Sequence, residues 1–261
     1  MIDFDERAVP GLTSNFLMRE AQSRYLWVKD RLRSGSIVLD AATGTGYGAN
    51  MLSSKADKVL GVDISKDAVA FAQKKYKKKG LEFKVLDVNK MSVKDKFTDV
   101  VAFEMIEHLD NPGKFLKNVL KVLEPNGYFY VSTPNTERLG HKELQSPFHV
   151  KEYNGEELYR LLSKYFKNVK VYGQYQSKRA TKAYSDFLQS QKVRQGMVDS
   201  DRFGIRKLIP RELKEIAWKL VGALFGRASQ SGLDESDFKI GRLIGKKAHY
   251  LIAICKNPKL A

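Results

Sequence analysis

Two carboxylates and two imidazoles form the densest chemical cluster in this sequence. Glu104, Glu107 and His108 stand at i, i+3 and i+4, and a second histidine, His149, follows in the run Phe148 to Tyr153. If the chain turns helical there, the first three share one face. Two chemistries suit the set. In one, His108 or His149 is a general base that takes a hydroxyl proton. In the other, Glu104, Glu107, His108 and His149 hold a divalent cation, which lowers the pKa of a substrate hydroxyl. Carboxylates with imidazoles suit Mg²⁺ or Mn²⁺, with Zn²⁺ as a further choice.

The second chemical feature is the glycine-rich run Asp40 to Gly48, with Gly44, Gly46 and Gly48 at alternate positions. A turn of this kind between a strand and a helix lets a ligand approach the backbone closely. It differs from the dinucleotide fingerprint: the third glycine falls one position early, with Ala49 in its place, and Asp40 precedes the loop directly. Asp63 follows Gly46 by seventeen residues and ends the next apolar run. A carboxylate there can accept both ribose hydroxyls of an adenosine. Asp87, with Val88 after it, ends a third run and can accept from an adenine amino group.

The elements that must position these groups follow from periodicity. Phe16, Leu17, Ala21, Tyr25 and Val28 recur at helical spacing from about Ser14, after a break at Pro10 and Gly11. Strands are expected at 36–40, 58–63, 81–87, 98–103, 128–133, 169–175 and 249–255. Helices alternate with them. Ser65 caps one that runs to about Lys78, and Gly80 closes it. Pro112 opens another, with Phe115, Leu116, Val119, Leu120 and Leu123 on one stripe. Pro125 to Gly127 reads as a turn, and 156–165 as a further helix. Alternation implies an α/β fold with a mostly parallel sheet, covered on both faces, whose ligands sit at the carboxyl ends of the strands.

Residues 177–247 are too long for a simple connection. They hold sixteen Lys/Arg against eight Asp/Glu, so this stretch carries +8 of the chain's +16. Pro210 opens a helix there with Leu213, Ile216, Leu220, Val221 and Leu224 on one face, which packs on the core or touches a lipid or a partner. A field of this sign favours polyanions such as RNA or an anionic membrane surface. With 43% apolar residues in 261 the chain can bury a core. No apolar run approaches the ~20 residues of a membrane span, and the start of the chain lacks the apolar stretch of a signal peptide. Cys255, the single cysteine, reads as a buried strand residue and fits a reducing cytoplasm. Localisation is expected to be cytoplasmic, with membrane-peripheral contact as the variant.

In motif and order, the sequence resembles class I S-adenosylmethionine-dependent methyltransferases. The likeness runs through Glu6 to Gly11, Arg24–Tyr25, Asp40 to Gly48, Gly61 to Ser65 and Asp87. It continues through Phe103 to Asp110, Leu123 to Gly127, Ser132 to Asn135 and Phe148 to Tyr153, about two thirds of the chain. One departure is Thr43, where many relatives have cysteine. The resemblance implies S-adenosylmethionine as cofactor, with Gly44 and Gly46 facing its methionine part, Asp63 its ribose and Asp87 its adenine. The full cofactor set so expected is Tyr25, Asp40, Ala41, Thr43, Gly44, Thr45, Gly46, Asp63, Ile64, Asp87, Val88 and Glu104. It also implies a Rossmann-like sheet of seven strands, the last antiparallel. An N-terminal helical segment (1–33) precedes the core (34–176 with 248–257), and a basic, largely helical insert (177–247) lies between strands six and seven.

The E-x-x-E-H pattern is similar to that of ubiquinone-biosynthesis O-methyltransferases and of small-RNA 3′-end 2′-O-methyltransferases, both metal-assisted. Many class I relatives carry Glu107–His108–Leu109 without a metal. The expected activity is O-methylation of a sugar, glycan or other small hydroxylated acceptor, lipid-linked in one version. RNA 2′-O-methylation is the alternative, and a non-catalytic cofactor-binding protein the third.

Overall fold

The computed structural model describes residues 13–90, 95–137, 148–186, 189, 232–244 and 247–259. Two expectations lie outside these residues: the break at Pro10 and Gly11, and the helix opened by Pro210.

Helices and strands alternate as the periodicity requires: α1 (Asn15–Lys29), β1 (Ile37–Ala41), α2 (Tyr47–Leu52), β2 (Lys58–Asp63), α3 (Lys66–Lys75), β3 (Leu81–Val85) and β4 (Phe97–Phe103). Then come α4 (Pro112–Val122), β5 (Leu123–Pro134), α5 (Gly155–Ser163), β6 (Phe166–Gln176), β7 (Phe238–Arg242) and β8 (Tyr250–Pro258). Side-chain caps mark the helix starts. Ser14 accepts from the Leu17 amide, Ser65 from Ala68 and Asn111 from Lys114, and Asn154 forms a reciprocal capping box with Glu157.

The strands form one sheet in the order β3-β2-β1-β4-β5-β8-β6-β7. β3, β2, β1, β4 and β5 pair in parallel; β8 lies antiparallel between β5 and β6, and β7 pairs antiparallel with β6. The order in which strands are added to the sheet reverses between the parallel neighbours β1 and β4, which makes their carboxyl ends the switch point.

The central strands β1, β2, β4 and β5 each feed two cores because successive side chains leave opposite faces. Leu39 joins Phe115, Leu116, Val119, Phe129 and Leu158 beneath α4 and α5. Its neighbour Val38 joins Tyr25, Val28, Leu52, Ala72 and Phe103 beneath α1, α2 and α3. Cys255 is buried in the first of these cores, and burial pushes its thiol pKa well up.

Three readings need correction. Among the described residues the sheet has eight strands, not seven, because β7 lies inside the stretch read as a largely helical insert. Leu123 does not extend the stripe of α4; it leaves the helix and pairs with Phe97 as the first residue of β5. Consequently the turn read at Pro125 to Gly127 lies within β5, where the register against β4 shifts between Phe97 and Asp99. No helix among the described residues is long and apolar enough to cross a membrane.

Candidate functional site

The glycine loop leaves β1 through a buried hydrogen-bond knot. Asp40, fully buried, accepts from the Thr43 hydroxyl at 2.6 Å and from the Tyr25 hydroxyl at 3.2 Å. Burial pushes its carboxyl up to about 7, although both hydroxyls pull the other way. Ala42, Gly44 and Gly46 all take positive φ, at 60°, 56° and 78°, so the loop curls tightly before α2. Gly46 is held by packing as well as by φ. A β-carbon there would lie 2.7 Å from the Ala72 β-carbon and from the Phe83 ring. At Gly48 a β-carbon would collide with the Tyr25 ring.

Asp63, at the end of β2, is 4% exposed and braces this loop. One carboxylate oxygen accepts the Gly44 amide at 2.9 Å and the other the Ser65 amide at 2.9 Å. Ile64 beside it is 68% exposed, while Ala41, Thr43, Thr45 and Val88 are buried. Asp87 accepts from the Asn89 amide at 2.9 Å and lies 3.8 Å from the Lys90 ammonium. The three acids and the glycine loop therefore lie at the carboxyl ends of β1, β2 and β3, and Asp63 ties the backbone of the loop to the end of β2. This geometry suits the adenosine and amino-acid portions of S-adenosylmethionine.

The second cluster departs from the helical spacing expected of it. Glu104 takes φ 51° at the end of β4, and only Ile106–His108 form a short 3-10 turn. The left-handed residue breaks the i, i+3, i+4 face, so Glu104 does not join Glu107, His108 and His149. Instead its carboxylate accepts from the Ser132 hydroxyl at 2.6 Å and lies 4.0 Å from Arg24. Ligand atoms of the other three, Glu107, His108 and His149, lie within 4.8 Å of one another. Of the four residues expected to hold a cation, three come together here, and Glu104 stands outside that group.

Within the triad, Glu107 is 1% exposed; neither carboxylate oxygen makes a full hydrogen bond among the described residues, although the Thr133 hydroxyl stands near enough to favour its charged form. Burial, and then the nearby Glu104 charge, hold its carboxyl well above the usual range. A buried carboxylate beside two imidazoles is a donor set that fits Mg²⁺, Mn²⁺ or Zn²⁺. Both rings are oriented from behind. The Nδ1 of His108 lies 3.0 Å from the Phe148 carbonyl, and the Nδ1 of His149 lies 2.7 Å from the Glu152 carboxylate. A carbonyl and a carboxylate only accept, so each Nδ1 carries the proton and each neutral ring keeps its lone pair on Nε2. The segment is stitched in place by the Val150 and Lys151 amides, which both donate to the Glu107 carbonyl.

Sequence reasoning assigned no role to Arg24 or Glu152. Arg24 is 4% exposed and stands beside Glu104 at the end of β4. Burial works against its charge, but Glu104, Tyr250 and Glu20 outweigh it, so its pKa lies above the ordinary value. A cation on the apolar stripe of α1, next to Tyr25, was the available signal. For Glu152 the signal was its spacing, three residues after His149.

A family profile described as "Methyltransferase domain" matches residues 32–191. A Mycolicibacterium smegmatis protein named "Probable S-adenosylmethionine-dependent methyltransferase" is 35% identical over 161 residues, 60% of this chain and 62% of that protein. A ubiquinone biosynthesis O-methyltransferase of Bradyrhizobium diazoefficiens is 35% identical over 103 residues, 39% of this chain and 41% of that one. The chain thus spans less than two thirds of the length of these relatives. In structure it is similar to an S-adenosylmethionine-dependent methyltransferase from Thermotoga maritima, with a TM-score of 0.61 and 16% identity, covering 93% of this chain and 91% of that one. The profile match over more than half of its length means that the chain belongs to the methyltransferase-domain family, and the structural likeness gives it the class I S-adenosylmethionine-dependent fold.

Proposed function

We propose that this chain methylates a hydroxyl oxygen of a small acceptor, with a divalent cation held by Glu107, His108 and His149. The observation that carries the reading is the buried Glu107 carboxylate, without a full hydrogen bond among the described residues, beside two imidazoles whose Nδ1 atoms are already engaged. S-adenosylmethionine supplies a methyl on a positively charged sulfonium, which an acceptor oxygen attacks in line.

The residues of the chain do the rest. Asp63 and the Gly44 amide shape the pocket for the nucleoside. Arg24 offers a buried cation to the carboxylate at the amino-acid end of the cofactor. Its Nε has no partner among the described residues and its Nη2 stands 4.0 Å from Glu104, so one edge of the guanidinium is left for an anionic ligand. Near the acceptor, Nε2 of His108 or His149 receives the hydroxyl proton when no cation is bound. A cation held by Glu107, His108 and His149 would lower the pKa of that hydroxyl through its charge. Phe148 and Val150, both more than half exposed, flank His149 and give the acceptor an apolar wall.

The similarity to a ubiquinone biosynthesis O-methyltransferase supports an oxygen acceptor. A sugar or glycan hydroxyl, free or lipid-linked, is the acceptor class proposed here. The formal charge of +16 favours a second reading, the 2′-hydroxyl of RNA.

The test is transfer of labelled methyl from S-adenosylmethionine to sugars, lipid-linked glycans and short RNAs, with Mg²⁺ or Mn²⁺ and after chelation. Transfer lost on chelation and in Glu107→Gln supports the metal-assisted reading. Transfer that survives chelation but fails in His108→Ala or His149→Ala supports an imidazole base. Cofactor binding with no transfer to any acceptor points to a non-catalytic binding protein.

A further inference from the structure

Behind Arg24 lies a buried amide that neither the cofactor loop nor the triad accounts for. Gln174, on β6, is 0% exposed. Its side-chain oxygen accepts from Arg24 Nη1 at 2.7 Å. Its side-chain nitrogen donates to the Glu20 carbonyl at 2.9 Å and to the Ser23 hydroxyl at 2.7 Å. Three bonds fix the amide in one orientation, because a flipped amide would set its NH₂ against the guanidinium. Across the β6–β8 ladder Gln174 pairs with Tyr250, and the Tyr250 ring lies under the guanidinium, 4.3 Å from Arg24 Cζ. One cross-strand pair therefore holds Arg24 by an edge and by a face.

The consequence lies on the opposite edge. A guanidinium presents Nε and one terminal nitrogen as a parallel fork that matches a carboxylate. Gln174 occupies Nη1, which leaves Nε and Nη2 as the fork on the edge beside Glu104. Arginine has several rotatable bonds, and fixing it beforehand removes an ordering cost from ligand binding.

We propose that Gln174 is a positioning residue that holds the Nε–Nη2 edge of Arg24 toward the cofactor's amino-acid carboxylate, and so sets selectivity for that end of the ligand. This rests on the reading of Arg24 given above. The linkage also ties cofactor recognition to the α1–β6 contact, since Glu20, Ser23 and Arg24 lie on one helix and Gln174 on the far half of the sheet.

Calorimetry on the full chain separates the possibilities, with two probes: S-adenosylhomocysteine, and 5′-methylthioadenosine, which lacks the amino-acid end. Arg24→Met should weaken S-adenosylhomocysteine about tenfold or more and leave 5′-methylthioadenosine unchanged. Gln174→Met should do the same in direction, and the double variant should bind no worse than Arg24→Met alone, since Gln174 acts through Arg24. Ser23→Ala, a milder change that releases one of the anchors of Gln174, should give a smaller loss with the same selectivity. Thermal melts establish that each variant folds. The proposal is overturned if the Gln174 and Ser23 variants keep wild-type S-adenosylhomocysteine affinity, or weaken both probes alike, or if the losses add in the double variant. Wild-type chain that binds neither probe overturns the cofactor reading itself. An Arg24→Met variant with undiminished affinity overturns the role of Arg24, and Gln174 falls with it.

Discussion

The carboxylate of Asp63 reaches back from the end of β2 to accept the amide of Gly44 at 2.9 Å, while its other oxygen accepts the amide of Ser65. One side chain thus joins the cofactor loop to the start of α3. Asp63→Ala removes both acceptors and leaves two amides to find other partners. We expect S-adenosylhomocysteine affinity to fall at least about tenfold, with stability reduced by roughly 1–3 kcal/mol. Calorimetry and urea unfolding check the two effects separately. Wild-type affinity in the alanine variant would remove Asp63 from the site.

The glycines of the loop make different demands, and substitutions should separate them. At Gly48 an added methyl would meet the Tyr25 ring, which packs edge-on against Tyr47 and Phe103 at 5.5 and 5.0 Å. Gly48→Ala should cost ~1–3 kcal/mol through overpacking. Gly35 also has positive φ, but nothing lies within 4 Å of a β-carbon there. Gly35→Ala should cost only the left-handed backbone, ~1–2 kcal/mol, and leave cofactor binding intact. Equal effects on cofactor affinity at the two positions would contradict this assignment.

What the sequence revealed and what it hid divide along the range of the interactions. Ser14, Ser65 and Pro112 announce their helices because capping acts within a few residues, and the parallel core is legible because its strands are continuous apolar runs. β7 escaped notice because Phe238–Arg242 is short, contains a glycine and lies in a strongly basic stretch. Its pairing partner, β6, is more than sixty residues away. Glu104 misled through a single backbone angle: no spacing rule announces φ 51° in a glutamate. The role of Arg24 stayed hidden because the residue that holds it, Gln174, is 150 positions distant.

The pH dependence of stability should carry the signature of Asp40. Its carboxyl titrates at about 7 in the folded chain, against an ordinary value of 3.8. A raised pKa means that the folded state holds the proton more tightly. Between those two values the native chain binds more protons than the unfolded one, so the Asp40 contribution falls as pH rises and levels off above about 7. The full span is about 4 kcal/mol at ~1.36 kcal/mol per pH unit. Asp40→Asn should lose this slope. Urea unfolding at several pH values between 4 and 8 gives the difference between wild type and variant. Parallel stability curves for the two chains would show that Asp40 does not titrate in this range.

Glu107 should give opposite responses with and without a cation. In metal-free buffer Glu107→Gln replaces a buried carboxylate that lacks a full hydrogen bond with a neutral group of the same shape, so the melting temperature should rise. Adding Mn²⁺ should raise the melting temperature of the wild type, since a ligand that binds only the folded state stabilises it. The same addition should do little for Glu107→Gln. Glu152→Gln tests the layer behind: the 2.7 Å contact to His149 would become one with a neutral amide, and Mn²⁺ affinity should drop by ~10–100-fold without vanishing. A Mn²⁺ shift of the same size in Glu107→Gln as in wild type would mean that the cation binds elsewhere. The triad would then be left to proton transfer, with Glu107 there to steady the two imidazoles.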